Sequence, residues 1–166
     1  LALLLPLLTV YFLSFAVLSV IWINHHFLFH SFAKSVDRQL NLLNLAYLMF
    51  VAFVPFSAHF IGTYYAYQPA AIVYGVNIFI IVALSSRMVT YMKRHKGQLL
   101  NENIPQRLIN QALFRSRFSL FCYTAGLVIS FVSVSASLFF FAFPVVFNII
   151  PGTLDLVERT FRFSLD

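Results

Sequence analysis

The placement of charge limits this chain more than any other feature. Its eleven Lys and Arg and its five Asp and Glu fall in three short islands, residues 34–38, 87–117 and 155–166. Uncharged stretches run between them at 1–33, 39–86 and 118–154. A membrane-spanning helix takes about 20 mostly apolar residues. The first stretch therefore holds one span, and the second and third hold two each. If each two-span stretch is a hairpin, every charge in the chain ends on the same side of a bilayer.

Composition agrees. The chain is 61% hydrophobic and 10% charged, where a soluble domain carries about 25% charged residues. No soluble fold of 166 residues has interior enough for that much apolar surface. The fold class is all-α: a polytopic helical membrane protein, read as a single transmembrane domain over 1–166. Spans are expected at about 2–23, 40–61, 70–89, 118–133 and 135–150, with an amphipathic cytoplasmic linker over 90–117.

The net charge of +6 does not point to nucleic acid. Seven of the eleven basic residues lie in the 87–117 island, and the turn at 62–68 carries no charge. Basic loops beside spans mark the cytoplasmic side, which sets the C-terminus there. Five spans then put Leu1 outside, so one further helix is expected before it, giving five visible spans of six. Cys122 is the only cysteine, so an intrachain disulfide and a thiolate metal cluster are excluded.

Several local features have structural readings. Pro55 lies within the second span, where a kink or local unwinding is expected. Gly75 and Asn77 in the third suit close helix approach and an amide bonded to a neighbouring helix. Ile104, Leu108, Ile109, Ala112 and Leu113 recur at helical spacing among Arg107, Arg115 and Arg117, which predicts a helix lying on the inner leaflet. The last hairpin must turn within 130–137, a stretch with four serines and no Gly or Pro. Tyr64, Tyr65 and Tyr67 read as an aromatic belt.

The histidines are the candidates for chemistry. His25, His26 and His30 lie at the inner end of the first span, and His59 lies near the outer end of the second. A di-histidine haem needs facing imidazoles at one depth, and these do not match. His26 and His30 have the i,i+4 spacing of two metal ligands, yet two ligands make no site and no carboxylate lies within a span. No haem, metal or other cofactor is expected. Trp22, Asn24 and His25 have two readings that spacing leaves open. They anchor the interface, or they bond polar groups of another helix.

Without intramembrane carboxylates the chain does not read as an ion-coupled transporter. It has no Thr-Val-Gly-Tyr-Gly filter. No nucleotide loop or catalytic Ser/His/Asp set appears, so no enzyme is expected.

One run of residues is more specific. Tyr11, Ser14 and Phe15 lead into Trp22, Asn24, His25 and His26; Asp37 and Leu40 follow, then Asn44 and Leu45, then Pro55 and Phe56. In order and spacing this resembles the bacterial branch of the transmembrane protein 175 family of potassium-permeable channels. Beyond Ala70 only hydropathy and the basic loop support the likeness. The resemblance implies six helices per repeat with both termini cytoplasmic, K+ as permeant ion, and a homotetramer around a central pore in a bacterial plasma membrane. It places the pore-lining residues, with the family's Arg-x-x-x-Phe-Ser-Asp signature, on the helix expected before Leu1. The tail from Arg159 to Asp166 echoes that signature with an extra Leu165, at the wrong end of the chain.

By the same resemblance Trp22, Asn24 and His25 would bond that helix's Ser and Asp, holding the pore helix rather than ligating ions. Two alternatives stand beside the potassium channel. One is a proton-permeable or weakly selective cation leak of the same architecture. The other is a non-conducting membrane scaffold or redox subunit that uses the histidines.

Overall fold

The computed structural model describes residues 4–64 and 67–149, with side chains other than those of 4–11, 13, 14 and 149. Leu1, the side chains of Tyr11 and Ser14, Tyr65, and the chain from 150 onward with its third charged island lie outside the described residues.

Five α-helices follow one another: α1 Leu4–Phe27, α2 Arg38–Thr63, α3 Gln68–Arg94, α4 Gln106–Ile129 and α5 Val134–Ile149. A turn of π-helix, Leu28–Phe32, extends α1. No strand forms among the described residues. The chain has the polytopic helical fold that its charge spacing predicts. Phe15–Phe32, α2, α3 and α4 are each long and apolar enough to cross a bilayer, and α5 is shorter. Its 16 residues reach about 24 Å.

Neighbours in sequence are neighbours in space, α2 on α3, α3 on α4 and α4 on α5, and α5 also touches α1. The first two charged islands meet at one end. Ala33 pairs with Leu100, and Lys34 N donates to Leu99 O at 2.7 Å. Lys34 Nζ lies 2.6 Å from Glu102 Oε1. The parity inferred from charge placement therefore holds for these two islands. Under this clasp Phe32, Leu99 and Leu100 are buried, so the linkers are fixed by packing as well as by exposed polar pairs.

The basic linker is much shorter than expected. α3 continues to Arg94 and α4 begins at Gln106, leaving 95–105 between them. Among the described residues no separate helix forms between α3 and α4. The residues read as an amphipathic surface helix form the first turns of α4. The reason is packing: Ile109 and Leu113 on α4 are buried, as are Met88, Val89 and Met92 on α3, the helix packed against it. Ile109 and Leu113 of the apolar stripe face a protein neighbour, while Leu108 stays exposed. Arg87, Arg107, Arg115 and Arg117 are consequently helical rather than loop residues.

Within the bundle, α2 passes through Pro55 without a break. Asn77 Nδ2 on α3 donates to Ser57 Oγ at 3.1 Å, and Ser57 Oγ donates to Val54 O. The intramembrane amide bonds the neighbouring helix, as the sequence predicts. The last hairpin turns between Ser130 and Ser133. Seryl hydroxyls substitute for Gly and Pro there: Ser130 Oγ donates to Leu127 O, and Ser133 Oγ accepts from Ala136 N.

Asp37, in the linker before α2, joins α2 and α3 at the charged end. Oδ1 accepts from Leu40 N at 2.7 Å and caps α2, while Oδ2 accepts from Tyr91 Oη on α3 at 2.6 Å. The Tyr91 hydroxyl, then the Leu40 amide, hold its carboxyl below the usual carboxylate range. A depressed pKa in the folded state adds stability above the unfolded pKa, and that stability fades as pH falls through the folded value. The thermal midpoint should therefore drop on acidification through the carboxylate range. Asp37→Asn should lower the midpoint at neutral pH and flatten that dependence, as thermal unfolding in detergent at a series of pH values will read.

Candidate functional site

The polar residues picked out in sequence converge on the charged end of α1. There the helix presents three faces, because residues one and two apart diverge by about 100° and 200° around a 3.6-residue turn.

His25 faces α2. Its Nε2 donates to Asn44 Oδ1 at 2.7 Å. The ring lies nearly parallel to Tyr47, centroids 4.9 Å apart at 14°, and tilts against Phe29 at 4.8 Å. Tyr47 Oη donates to Ile21 O at 3.2 Å. Asn44 and Tyr47 stand three residues apart on one face of α2, so two polar links join the helices where apolar packing alone would not fix their register.

Trp22 and His26 share a second, exposed face. Their rings stack at 5.1 Å and 9°, and His26 stacks on His30 at 5.5 Å and 6°. The π turn keeps His30 in this column while it turns Leu28 and Phe32 inward. The i,i+4 histidines do meet, as their spacing suggests. Among the described residues, however, no group of three His, Cys, Asp or Glu could hold a metal ion. His59 is remote, on the last turns of α2, within 3.5 Å of Thr63 Oγ1.

Asn24 takes the third direction and lines a cavity of about 350 Å³ at the charged end of the bundle. Trp22 and Asn24 thus point roughly 160° apart. The structure brings His25 to a partner within the chain and spreads Trp22 and Asn24 to opposite sides.

Two partners were not assigned in sequence. Asn44 as the acceptor for His25 had a signal: an amide in the second turn of an apolar span, three residues before a tyrosine. The group at the end of α5 had less. Asn148 Nδ2 donates to Ser119 Oγ at 3.2 Å and to Pro144 O at 2.7 Å, and Arg115 Nη1 lies 3.5 Å from Asn148 O. The guanidinium therefore sits by the last carbonyls of α5, where the helix dipole is negative.

Comparison with known proteins agrees with this architecture. A family model described as endosomal/lysosomal potassium channel TMEM175 matches residues 1–55, the stretch that holds α1 and the first two thirds of α2. A protein of Streptomyces collinus named as a potassium channel is 30% identical over 137 residues, covering 80% of this chain. The chain spans 66% of that relative's length, just under two thirds. The human endosomal/lysosomal proton channel TMEM175 is 31% identical over 131 residues, covering 79% of this chain and 25% of its own. A crystal structure of a lysosomal potassium-selective channel TMEM175 homolog from Chamaesiphon minutus superposes with a TM-score of 0.70. It is 24% identical and covers 88% of this chain and 73% of that one, which establishes the common fold. These relatives are named as ion channels and none as an enzyme. Extended sequence similarity, a shared helical architecture and the run from Tyr11 to Phe56 together show that the chain belongs to the TMEM175 family.

Proposed function

We propose that this chain is part of a subunit of a passive, potassium-permeable channel in a bacterial plasma membrane, with its charged end cytoplasmic. The observation that carries this reading is the 30% identity across 80% of the chain to a bacterial relative named as a potassium channel. The absence of Asp and Glu between Gln39 and Ser86 also favours passive conduction over ion-coupled transport.

A central pore in a homotetramer is part of the proposal. Asn24 and His26 on α1 and His30 in the π turn are exposed beside Trp22 and Phe27. Polar rings and amides at that depth suit protein or water better than lipid tails. His25 acts by holding α1 against α2 rather than by ligating ions.

A proton-permeable channel is the second reading, favoured by the zebrafish and human relatives, both named as proton channels. Reversal potentials under opposed potassium and proton gradients separate the two. With full-length protein in planar bilayers, the potential should follow the potassium gradient. A potential that follows the proton gradient supports the second reading, and no current in any ionic condition defeats both. Topology gives a further check: in sealed right-side-out vesicles, Lys34 and Lys93 should both resist an impermeant amine reagent. Labelling of either one from outside would refute the proposed orientation.

A further inference from the structure

Three arginines on one side of the helix pair α2–α3 have no counter-charge within the described fold. Arg38, Arg87 and Arg94 are exposed, and among the described residues none of them makes a hydrogen bond or an ion pair. The two carboxylates among those residues are engaged elsewhere, Asp37 by the Leu40 amide and the Tyr91 hydroxyl, Glu102 by Lys34. On α3, Asn77 and Tyr91 mark the direction of α2, through their bonds to Ser57 and Asp37. Arg87 and Arg94 lie about 40° and 60° from Tyr91 around the helix, turned away from the buried Met88 and Met92. On α2, Ser57 marks the direction of α3, and Arg38 lies about 100° past it, turned away from Asn44 and α1. All three arginines therefore flank the outer groove between α2 and α3.

The same bonds set their depth. Arg38 follows Asp37 in the chain, and Asp37 is level with Tyr91. Arg87 lies four residues nearer the middle of α3, about 6 Å, and Arg94 three residues nearer its end, about 4.5 Å. A long arginine stem lies along apolar surface while its head reaches the interface, so the three guanidinium groups can meet at one level. Deeper along the same outer side, α2 presents Leu42 and Met49 and α3 presents Val76, all exposed. The groove is a cationic mouth above an apolar trough. A guanidinium fork matches phosphate oxygens in geometry, and basic pockets between spans bind anionic headgroups. A free anion would use the mouth alone, whereas a phospholipid uses both parts.

We propose that the outer groove between α2 and α3 binds an anionic phospholipid. Arg38, Arg87 and Arg94 hold its phosphate, and its chains lie along Leu42, Met49 and Val76. Binding is read without conduction, so this site stands or falls apart from the channel reading.

The test uses the purified full-length protein in detergent, with native mass spectrometry and thermal unfolding. The probes are dioctanoyl phosphatidylglycerol, dioctanoyl phosphatidylcholine and inorganic phosphate, each alone. Phosphatidylglycerol should leave a retained adduct and raise the midpoint, and the other two should do neither. Arg87→Gln and Arg94→Gln should each weaken retention about fivefold, the scale of one basic residue beside an anionic surface. The double variant should lose more than either. Arg94 is the last residue of α3, so its variant reads the site even where a change within the span disturbs folding. Arg117→Gln removes the same charge from an exposed position on α4 and should leave retention unchanged. Four results each overturn the site: equal retention of phosphatidylcholine, inorganic phosphate raising the midpoint as far as phosphatidylglycerol, an equal loss in Arg117→Gln, or wild-type retention in both α3 variants.

Discussion

Phe141→Ala should unseat α5 and cost about 3–5 kcal/mol, the range for deleting a buried aromatic ring. Phe141 is 2% exposed, and its ring fills a notch cut by two glycines on other helices. A Cβ added at Gly75 on α3 would come within 2.5 Å of the ring, and one added at Gly126 on α4 would come equally close. Tyr74 and Tyr123 tilt against the same ring, with centroids 6.0 and 6.3 Å away. Lipid tails cannot fill a void of this shape between three helices, so the lost dispersion contacts are not replaced.

The reverse change tests the same notch. Gly126→Val should cost about 1–3 kcal/mol by overpacking, since the obstructing atoms belong to a rigid ring rather than to a flexible chain end. Combining Gly126→Val with Phe141→Ala should cost clearly less than the two single changes together, because the new methyl groups enter the space the ring leaves. Equilibrium unfolding in mixed micelles measures all three. Full additivity would mean that Phe141 is not seated against Gly126.

His25→Ala should loosen α1 from α2 by roughly 1–3 kcal/mol, since it strands the Asn44 carboxamide oxygen and removes a ring stacked on Tyr47. The interhelical hydrogen bond alone accounts for about 0.6–2 kcal/mol of that. Asn44→Leu should cost a similar amount, and the double variant should recover part of the loss, because no polar group is then left without a partner. In full-length protein the expected functional result is altered flux with unchanged preference for potassium over sodium. A large shift in that preference would assign His25 to the ion path and contradict its role in holding α1.

Long apolar runs separated by charge told most of the architecture. The spans at 40–61 and 70–89 fall within α2 and α3, and the hairpin between 118 and 150 turns where four serines cluster. Hydropathy reports transfer from water, so it finds helices well and their ends poorly. That is why the amphipathic stretch after Pro105 passed for a surface helix. Ile109 and Leu113 leave water in either arrangement, and only contact with α3 distinguishes them. The candidate site was legible in kind but not in partners. His26 and His30 share a face because i,i+4 spacing requires it, whereas the bond from His25 to Asn44 depends on how α1 is rotated against α2.

From the sequence alone follow the membrane class, the number of helices among the described residues and the meeting of the first two charged segments at one end. Each rests on the cost of carrying ionised groups into hydrocarbon, which is local and additive along the chain. The tertiary structure decided which face of each helix meets which neighbour: Phe141 against Gly75 and Gly126, Arg115 beside the end of α5, Asn24 toward a cavity and Trp22 away from it. Those choices turn on shape and on pairing across helices distant in sequence, and neither is written in a hydropathy profile.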